Sequence, residues 1–367
     1  MRLDCLSLRG FRNYEQAELE FSPGVNLILG ENAQGKTNLL EAIYYLSTGH
    51  GFRTRKEAEL IRFGADFADF SCTVTGQQRQ QTLRAVLFSG RKPRQLFLNG
   101  VKRKNQAELM GVLTTVLFCP EDLLVLKAGA SARRRLMDQG LCQLRPRYEA
   151  ALQEYNRILE QKSRILRSRY ENPSLLQILP EYSQRLCQVG AILISYRARY
   201  LQSLGQEATK FHREFSGGRE TLEIPYRTVS TISDPFAPVS QLEEALFAHL
   251  QSHYQGELES AQCLTGPHKD DFDATLEGLS LKSYGSQGQT RTAAISLKLA
   301  QRELFRRDTG EEPVLLLDDV LSELDPGRQD FVLNQIQSGQ VFITCCEPGR
   351  LTKIGTSFHI EKGSILE

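Results

Sequence analysis

The segment from Leu3 to Leu8 alternates apolar and polar side chains, the period of a strand with one buried face. A second strand-like run, Val25 to Leu29, ends directly in glycine, and Phe11-Arg12-Asn13-Tyr14 between the two reads as a turn. Beyond Thr37, apolar Leu39, Leu40, Ile43, Tyr44 and Leu46 recur at helical spacing, so the pattern predicts strand, glycine-rich loop and helix in succession. From Phe70 to Val101 the runs are short and strand-like. There Leu96-Phe97-Leu98 leads into Asn99-Gly100, whose tolerance of positive φ predicts a tight hairpin within an antiparallel sheet.

The period changes between about Leu123 and Leu204. Tyr148, Leu152, Tyr155, Leu159 and Leu166 mark one helix; Leu179, Tyr182, Leu186, Val189, Leu193 and Tyr196 mark a second. Asn172-Pro173 breaks the pattern between them, which predicts a helical hairpin. A polar stretch with glycine and proline, Ser216 to Pro238, precedes a shorter helical run at Leu242 to Leu250. After about Leu264, strand-like and helical segments alternate to the end. A helix predicted from Thr290 to Phe305 leads into Val314-Leu315-Leu316-Leu317, an apolar run suited to a central parallel strand buried on both faces.

A chain of 367 residues is long enough for two compact domains, or one large domain with an insertion. With 40% apolar and 24% charged residues it is not a disordered sequence. The net charge of +1 means that any nucleic-acid site must be a local patch. Eight cysteines without a C-x-x-C pair read as reduced, mostly buried thiols. Met1-Arg2-Leu3-Asp4 lacks the apolar core of a signal peptide, and no stretch approaches the ~20 apolar residues of a membrane span, so a cytosolic protein is expected.

Gly30-Glu31-Asn32-Ala33-Gln34-Gly35-Lys36-Thr37 fits G-x-x-x-x-G-K-[ST] at every fixed position. Its glycines let backbone N–H groups curl around phosphate oxygens, and the helix N-terminus behind them adds a dipole favourable to anions. Lys36 is expected to reach the β- and γ-phosphates of ATP, and the Thr37 hydroxyl to take one place around Mg²⁺. Val314 to Leu317 then delivers Asp318 and Asp319 at the end of a strand, the arrangement of a Walker B motif. Asp318 is expected to hold the Mg²⁺ or its waters and Asp319 to polarise the attacking water, with Lys36 the third catalytic candidate. Shortly before that strand, Ser283-Tyr284-Gly285-Ser286-Gln287-Gly288-Gln289 opens a helix and looks like a variant ABC signature; right after it, Leu321-Ser322-Glu323-Leu324-Asp325 resembles the D-loop.

The order of these motifs, together with Leu8 to Tyr14, Cys119-Pro120-Glu121-Asp122-Leu123, Gly266-Pro267-His268-Lys269-Asp270-Asp271 and Ser286 to Arg291, resembles the RecF family across nearly the whole chain. The resemblance implies an α/β fold: an ABC-type, SMC-like ATPase head with mixed sheets, carrying an inserted helical arm. Its segments are expected at 1–120 (head), 121–264 (arm) and 265–367 (head). It further implies a head-to-tail homodimer formed on ATP, in which Ser286, Gly288 and Gln289 contact nucleotide held by the other protomer. DNA at gaps or strand junctions, and the RecR and RecO proteins, are the implied partners. The implied role is loading of recombinase in repair, replication restart and the SOS response.

Two features depart from the wider ABC pattern: no switch histidine occurs in Val341 to Cys346, and Asp319 stands where glutamate is common. Both predict slow, switch-like hydrolysis. His268 reads as a structural histidine that becomes a site candidate only through the family phrase, and Arg12 is placed either to touch nucleotide or to shape its turn. Phosphate-directed DNA contacts are expected from Arg91-Lys92-Pro93-Arg94, Lys102-Arg103-Lys104 and Arg133-Arg134-Arg135. A transporter nucleotide-binding subunit, a small-molecule kinase and an ATP-binding scaffold with little hydrolysis are the competing readings.

Overall fold

The computed structural model describes residues 1–54, 56–346 and 355–366. They divide into two compact units, one of 1–124 with 294–367 and one of 125–293. The first unit begins with β1 (Arg2–Phe11), β2 (Tyr14–Glu20), β3 (Val25–Leu29), α1 (Lys36–Thr48), β4 (Phe67–Thr75), β5 (Gln80–Phe88), β6 (Gln95–Leu98), β7 (Val101–Arg103) and β8 (Thr115–Phe118). The second contains α2 (Ala130–Leu144), α3 (Pro146–Arg167), α4 (Leu179–Ser216), β9 (Leu222–Glu223), β10 (Tyr226–Arg227), α5 (Val239–Ser260), β11 (Asp271–Phe272), β12 (Thr275–Leu276), β13 (Leu279–Ser280) and α6 (Leu281–Tyr284). The boundary falls within α7 (Gln287–Thr309), and the first unit is completed by β14 (Val314–Asp318), α8 (Pro326–Gln335), β15 (Val341–Cys345), β16 (Thr356–Glu361) and β17 (Ser364–Leu366).

Two six-stranded sheets build the first unit, in the orders β2-β1-β4-β5-β6-β7 and β17-β16-β3-β15-β14-β8. The first is antiparallel, and Asn99 and Gly100 close its β6–β7 hairpin with φ values of 52° and 77°, a backbone that asparagine tolerates and that glycine, without a Cβ, adopts freely. In the second, β14 is parallel to both β15 and β8 and is buried throughout, as its unbroken apolar run predicts. Helix α1 contacts strands of both sheets, which is why it has no polar face: Leu39, Leu40, Ala42, Ile43, Tyr44, Tyr45 and Leu46 are all buried. This packing fixes the N-terminus of α1, and hence the phosphate loop, against the ends of β3 and β14.

The second unit is built on the α3–α4 hairpin, broken at Asn172-Pro173 as expected and followed by a short 3₁₀ turn, Pro173–Ile178. One buried guanidinium ties it together. Arg197 donates to Asp138 at 2.8 Å, Asp270 at 3.0 Å, the Tyr148 hydroxyl at 2.9 Å and the Pro267 carbonyl at 2.6 Å. These bonds join α2, α3 and α4 to the Gly266–Asp271 phrase. Lys162 and Glu257, both fully buried, pair at 2.5 Å between α3 and α5.

The arm was expected to end at 264, but the second unit extends to Ala293. The reason is strand pairing: β11 pairs with β10 and β12 with β9, so the segment after α5 folds back onto two short strands of the arm. Among the described residues no helix is long and apolar enough to cross a membrane. All eight cysteines are free thiols, four of them buried.

Candidate functional site

The loop between β3 and α1 curls because Gly30 and Gly35 adopt φ values of 153° and 120°. A Cβ at Gly30 would lie 2.4 Å from the Ile360 carbonyl oxygen, and one at Gly35 would lie 2.6 Å from the Asn13 side chain. The loop is held from two sides. Asn13 donates to the Gln34 carbonyl at 2.8 Å and accepts from Asn38, while the Tyr14 hydroxyl donates to the Gly35 carbonyl at 3.0 Å. On the other side the Gly363 amide donates to the Gln34 carbonyl and the Lys362 amide to Gln34 Oε1.

Around this loop opens a cleft of roughly 370 Å³, lined by Glu31, Asn32, Ala33, Gln34, Gly35, Lys36, Thr37, Asn38, Arg53 and Asp319. Lys36 Nζ donates to the carbonyls of Gly30 and Glu31 at 2.7 and 3.0 Å, so its ammonium is folded under the loop. Thr37 Oγ1 donates to Asp318 Oδ1 at 2.8 Å, and Thr344 Oγ1 donates to the same oxygen at 3.0 Å. Asp318 is buried; desolvation pushes its carboxyl above the ordinary value despite the two hydroxyl donors, with repulsion from Asp319 adding to the rise and Arg53 opposing it. Asp319 sits in the left-handed region at φ 49°, a conformation aspartate tolerates, and its amide donates to Thr344 Oγ1 at 2.8 Å. The structure thus brings Gly30 to Thr37 together with Asp318 and Asp319. Where a switch histidine would follow, Thr344 at the end of β15 braces the Asp318 carboxylate and the Asp319 amide.

Arg12 is placed elsewhere. Its Nε and Nη2 bind the fully buried Glu41 at 2.9 and 2.8 Å, its Nη1 donates to the Glu59 carbonyl at 2.8 Å, and it does not line the cleft. All three nitrogens being occupied, Arg12 shapes its turn and neutralises Glu41. The other oxygen of Glu41 accepts from the Arg53 amide at 3.1 Å and so holds the loop that presents Arg53 to the cleft. Arg53 escaped the sequence reading because it belongs to no fixed-spacing motif; the glycines at 49 and 51 were its only local signal.

Ser286, Gly288 and Gln289 lie in the second unit, at the start of α7. Ser286 Oγ accepts from the Gln289 amide and Gln289 Oε1 from the Ser286 amide, both at 3.1 Å, a reciprocal capping box. Gln289 Nε2 also donates to Glu220, so both ends of that side chain are engaged within its own protomer. The Gln289 side chain therefore braces Ser286 from within the protomer. His268 is structural. Its Nε2 faces the Cys263 carbonyl at 3.0 Å and must carry the proton, leaving Nδ1 to accept from the Tyr155 hydroxyl at 2.7 Å.

The basic clusters separate by exposure. Arg133 is buried in a two-pronged pair with Asp271 at 2.6 and 2.7 Å, and Arg94 is tied to Tyr45, Gly49 and Glu57. The expectation of surface contacts from these two is corrected, since the first holds the arm together and the second anchors the end of α1. Arg91, Lys92, Lys102, Lys104 and Arg135 are exposed.

A phosphate loop, a double-aspartate strand end and a signature-like helix start define an ATPase head of the ABC and SMC type. Residues 2–364 match the RecF/RecN/SMC N terminal domain family. The chain is 37% identical over 347 residues to the DNA replication and repair protein RecF of Acetivibrio thermocellus, spanning 95% of this chain and 94% of that one. It is 39% identical over 376 residues to that of Listeria welshimeri, spanning 100% and 99%. A solved structure of the recombination mediator protein RecF with ATP, of the RecFOR pathway, superposes with a TM-score of 0.91 at 34% identity, covering 99% of this chain and 96% of that one. An SMC head bound to the winged-helix domain of ScpA shares the fold at 15% identity and a TM-score of 0.56. The chain belongs to the RecF family of DNA replication and repair proteins.

Proposed function

We propose that the cleft binds ATP with Mg²⁺ and that binding assembles a head-to-tail homodimer which holds DNA. The observation that carries this reading is the 2.8 Å contact between Thr37 Oγ1 and Asp318 Oδ1, which joins the phosphate loop to the acidic strand end. One hydroxyl and one carboxylate, with no cluster of three acidic, histidine or cysteine ligands among the described residues, fit a cation that takes its remaining ligands from phosphate and water. Thr37 and Asp318 would hold the Mg²⁺, which would neutralise charge developing on the phosphates. Gly30 to Gly35 offer backbone N–H groups, Lys36 leaves the two carbonyls for the β- and γ-phosphates, and Arg53 adds a second cation. Asp319 polarises the attacking water, and Ser286 and the N-terminus of α7 reach the nucleotide of the partner protomer.

Hydrolysis is slow, because aspartate at 319 reaches less far than glutamate and Thr344 cannot act as a switch histidine. The exposed cations Arg91, Lys92, Lys102 and Lys104 contact DNA phosphates without reading sequence. RecR and RecO act with the dimer to load recombinase at gaps and junctions. Light scattering with ATP and Mg²⁺, comparing wild type with Lys36→Met and Ser286→Arg and adding gapped duplex, tests the reading. Dimers formed and DNA held by wild type alone support it. A wild type that stays monomeric sinks the dimer, and one that ignores DNA in either nucleotide state favours a transporter-type subunit. A single-turnover rate as fast as a transporter's would overturn the slow switch.

A further inference from the structure

The capping box at the start of α7 has an outside support. Gln289 Nε2 donates to Glu220 Oε1 at 2.8 Å, and Glu220 Oε2 lies 3.0 Å from Nε2 of His212, a fully buried residue in the last turns of α4. The Gln289 bond comes first among the causes that hold the Glu220 carboxyl below its ordinary value, so the carboxylate is the form that fits here.

A glutamine amide has two faces that sterics barely distinguish, and only hydrogen-bond partners choose between them. With Oε1 toward Ser286 the capping box closes; with the amide reversed, two donors face each other and it opens. Glu220, being acceptor-only when ionised, accepts from the –NH₂ side and so excludes the reversed amide. In the closed box Gln289 Oε1 pins the Ser286 amide while the Gln289 amide donates to Ser286 Oγ, so Ser286 is held at both its backbone and its side chain. A carboxylate near the N-terminus of α7 suits the helix dipole but repels a bound anion, which makes geometry, not charge, its contribution to nucleotide binding.

We propose that Glu220 is a positioning residue for the Ser286 contact in trans: it selects the Gln289 amide orientation that aims Ser286, and it ties that aim to the end of α4. The proposal rests on the head-to-tail reading above. It assigns Glu220 an effect on the nucleotide of the partner protomer and none on its own.

Mixed dimers separate these sites. Heterodimers of Lys36→Met with wild type, isolated through a different tag on each protomer, hold one competent phosphate loop and set the reference activity. When Glu220→Ala is placed in the same protomer as Lys36→Met, the surviving nucleotide faces the altered signature; ATP hydrolysis falls about tenfold, as expected for losing a cap and its orientation. When Glu220→Ala is placed in the other protomer, the surviving nucleotide faces an intact signature and activity stays at the reference. Glu220→Gln, which can still accept from Gln289, restores most of the rate. Without nucleotide, Glu220→Ala raises amide hydrogen exchange at Ser286 and Gln289 about five- to tenfold while the rest of α4 stays protected. Equal loss in both arrangements, unchanged exchange, or Glu220→Gln behaving like Glu220→Ala would overturn the proposal. A reference mixture without activity or association would instead overturn the head-to-tail reading, and the proposal with it.

Discussion

Thr37 and Asp318 stand 281 positions apart in the chain, yet Thr37 Oγ1 donates to Asp318 Oδ1 at 2.8 Å. The bond forms because α1, buried between the two sheets, packs on β14 and brings its N-terminal turn to the end of that strand. It also predicts separable effects. Asp318→Asn keeps an oxygen for Thr37 and Thr344 to donate to but loses the charge. Nucleotide binding in EDTA should stay near wild type, whereas Mg²⁺-dependent hydrolysis should fall on the order of 100-fold or more. Titration of ATP with and without Mg²⁺ checks this. An unchanged Mg²⁺ dependence would show that the cation is held elsewhere.

Arg53 should behave differently from the residue that holds its loop. Arg53→Ala removes an exposed cation at the cleft but leaves its amide bonded to Glu41, so folding is unaffected and ATP affinity falls about tenfold, the value of one charge-assisted contact. Glu41→Ala strands the guanidinium of Arg12 and should cost about 3 kcal/mol of stability. Melting curves beside nucleotide titrations distinguish the two. Equal loss of stability would mean that Arg53 is a structural residue.

The phosphate loop, the double aspartate, the hairpin at Asn99-Gly100 and the α3–α4 hairpin were legible because each is written in consecutive residues or one repeating period. The arm's far boundary was not, since the two-residue strands β9 to β13 are too short to carry a period and acquire their pairing only through the tertiary fold. Nor were the positions that support the site. Glu41, Thr344 and Glu220 look like ordinary helix, strand and loop residues, and only the folded chain reveals which polar atom each one faces. Gln289 was read from its motif as a nucleotide contact, but both ends of its amide are used within the protomer.

Arg133 and Arg135 are neighbours in one basic run with opposite fates. Burial alone would push the Asp271 carboxyl up, but two bonds from Arg133 bring it below its ordinary value, which marks the pair as stabilising. Arg133→Met should cost about 2 kcal/mol and lower the melting temperature, since Asp271 is left partly buried without its partner. Arg135→Ala, at an exposed position, should leave the melting temperature unchanged and lessen the salt dependence of DNA binding if that face meets phosphates. A stable Arg133→Met protein with weakened DNA binding would reverse the assignment.

His268 gives the second unit a pH dependence of predictable sign. Burial pushes its imidazole from 6.5 down to about 4, so the folded chain keeps it neutral between the Cys263 carbonyl and the Tyr155 hydroxyl. Above about pH 6.5 the folded and unfolded states are both neutral there, and the residue adds no slope. As pH falls from about 6.5 to 4, the unfolded chain binds a proton that the folded one does not. Stability is therefore lost progressively across that window, by up to about 3 kcal/mol. His268→Gln can donate to the carbonyl and accept from the hydroxyl but does not titrate. Its melting temperature should fall less than that of wild type between pH 7.5 and 4.5, with the two curves diverging only below about pH 6.5. Parallel curves would mean that His268 is protonated in the folded protein, and the tautomer assigned from its two hydrogen bonds would be wrong.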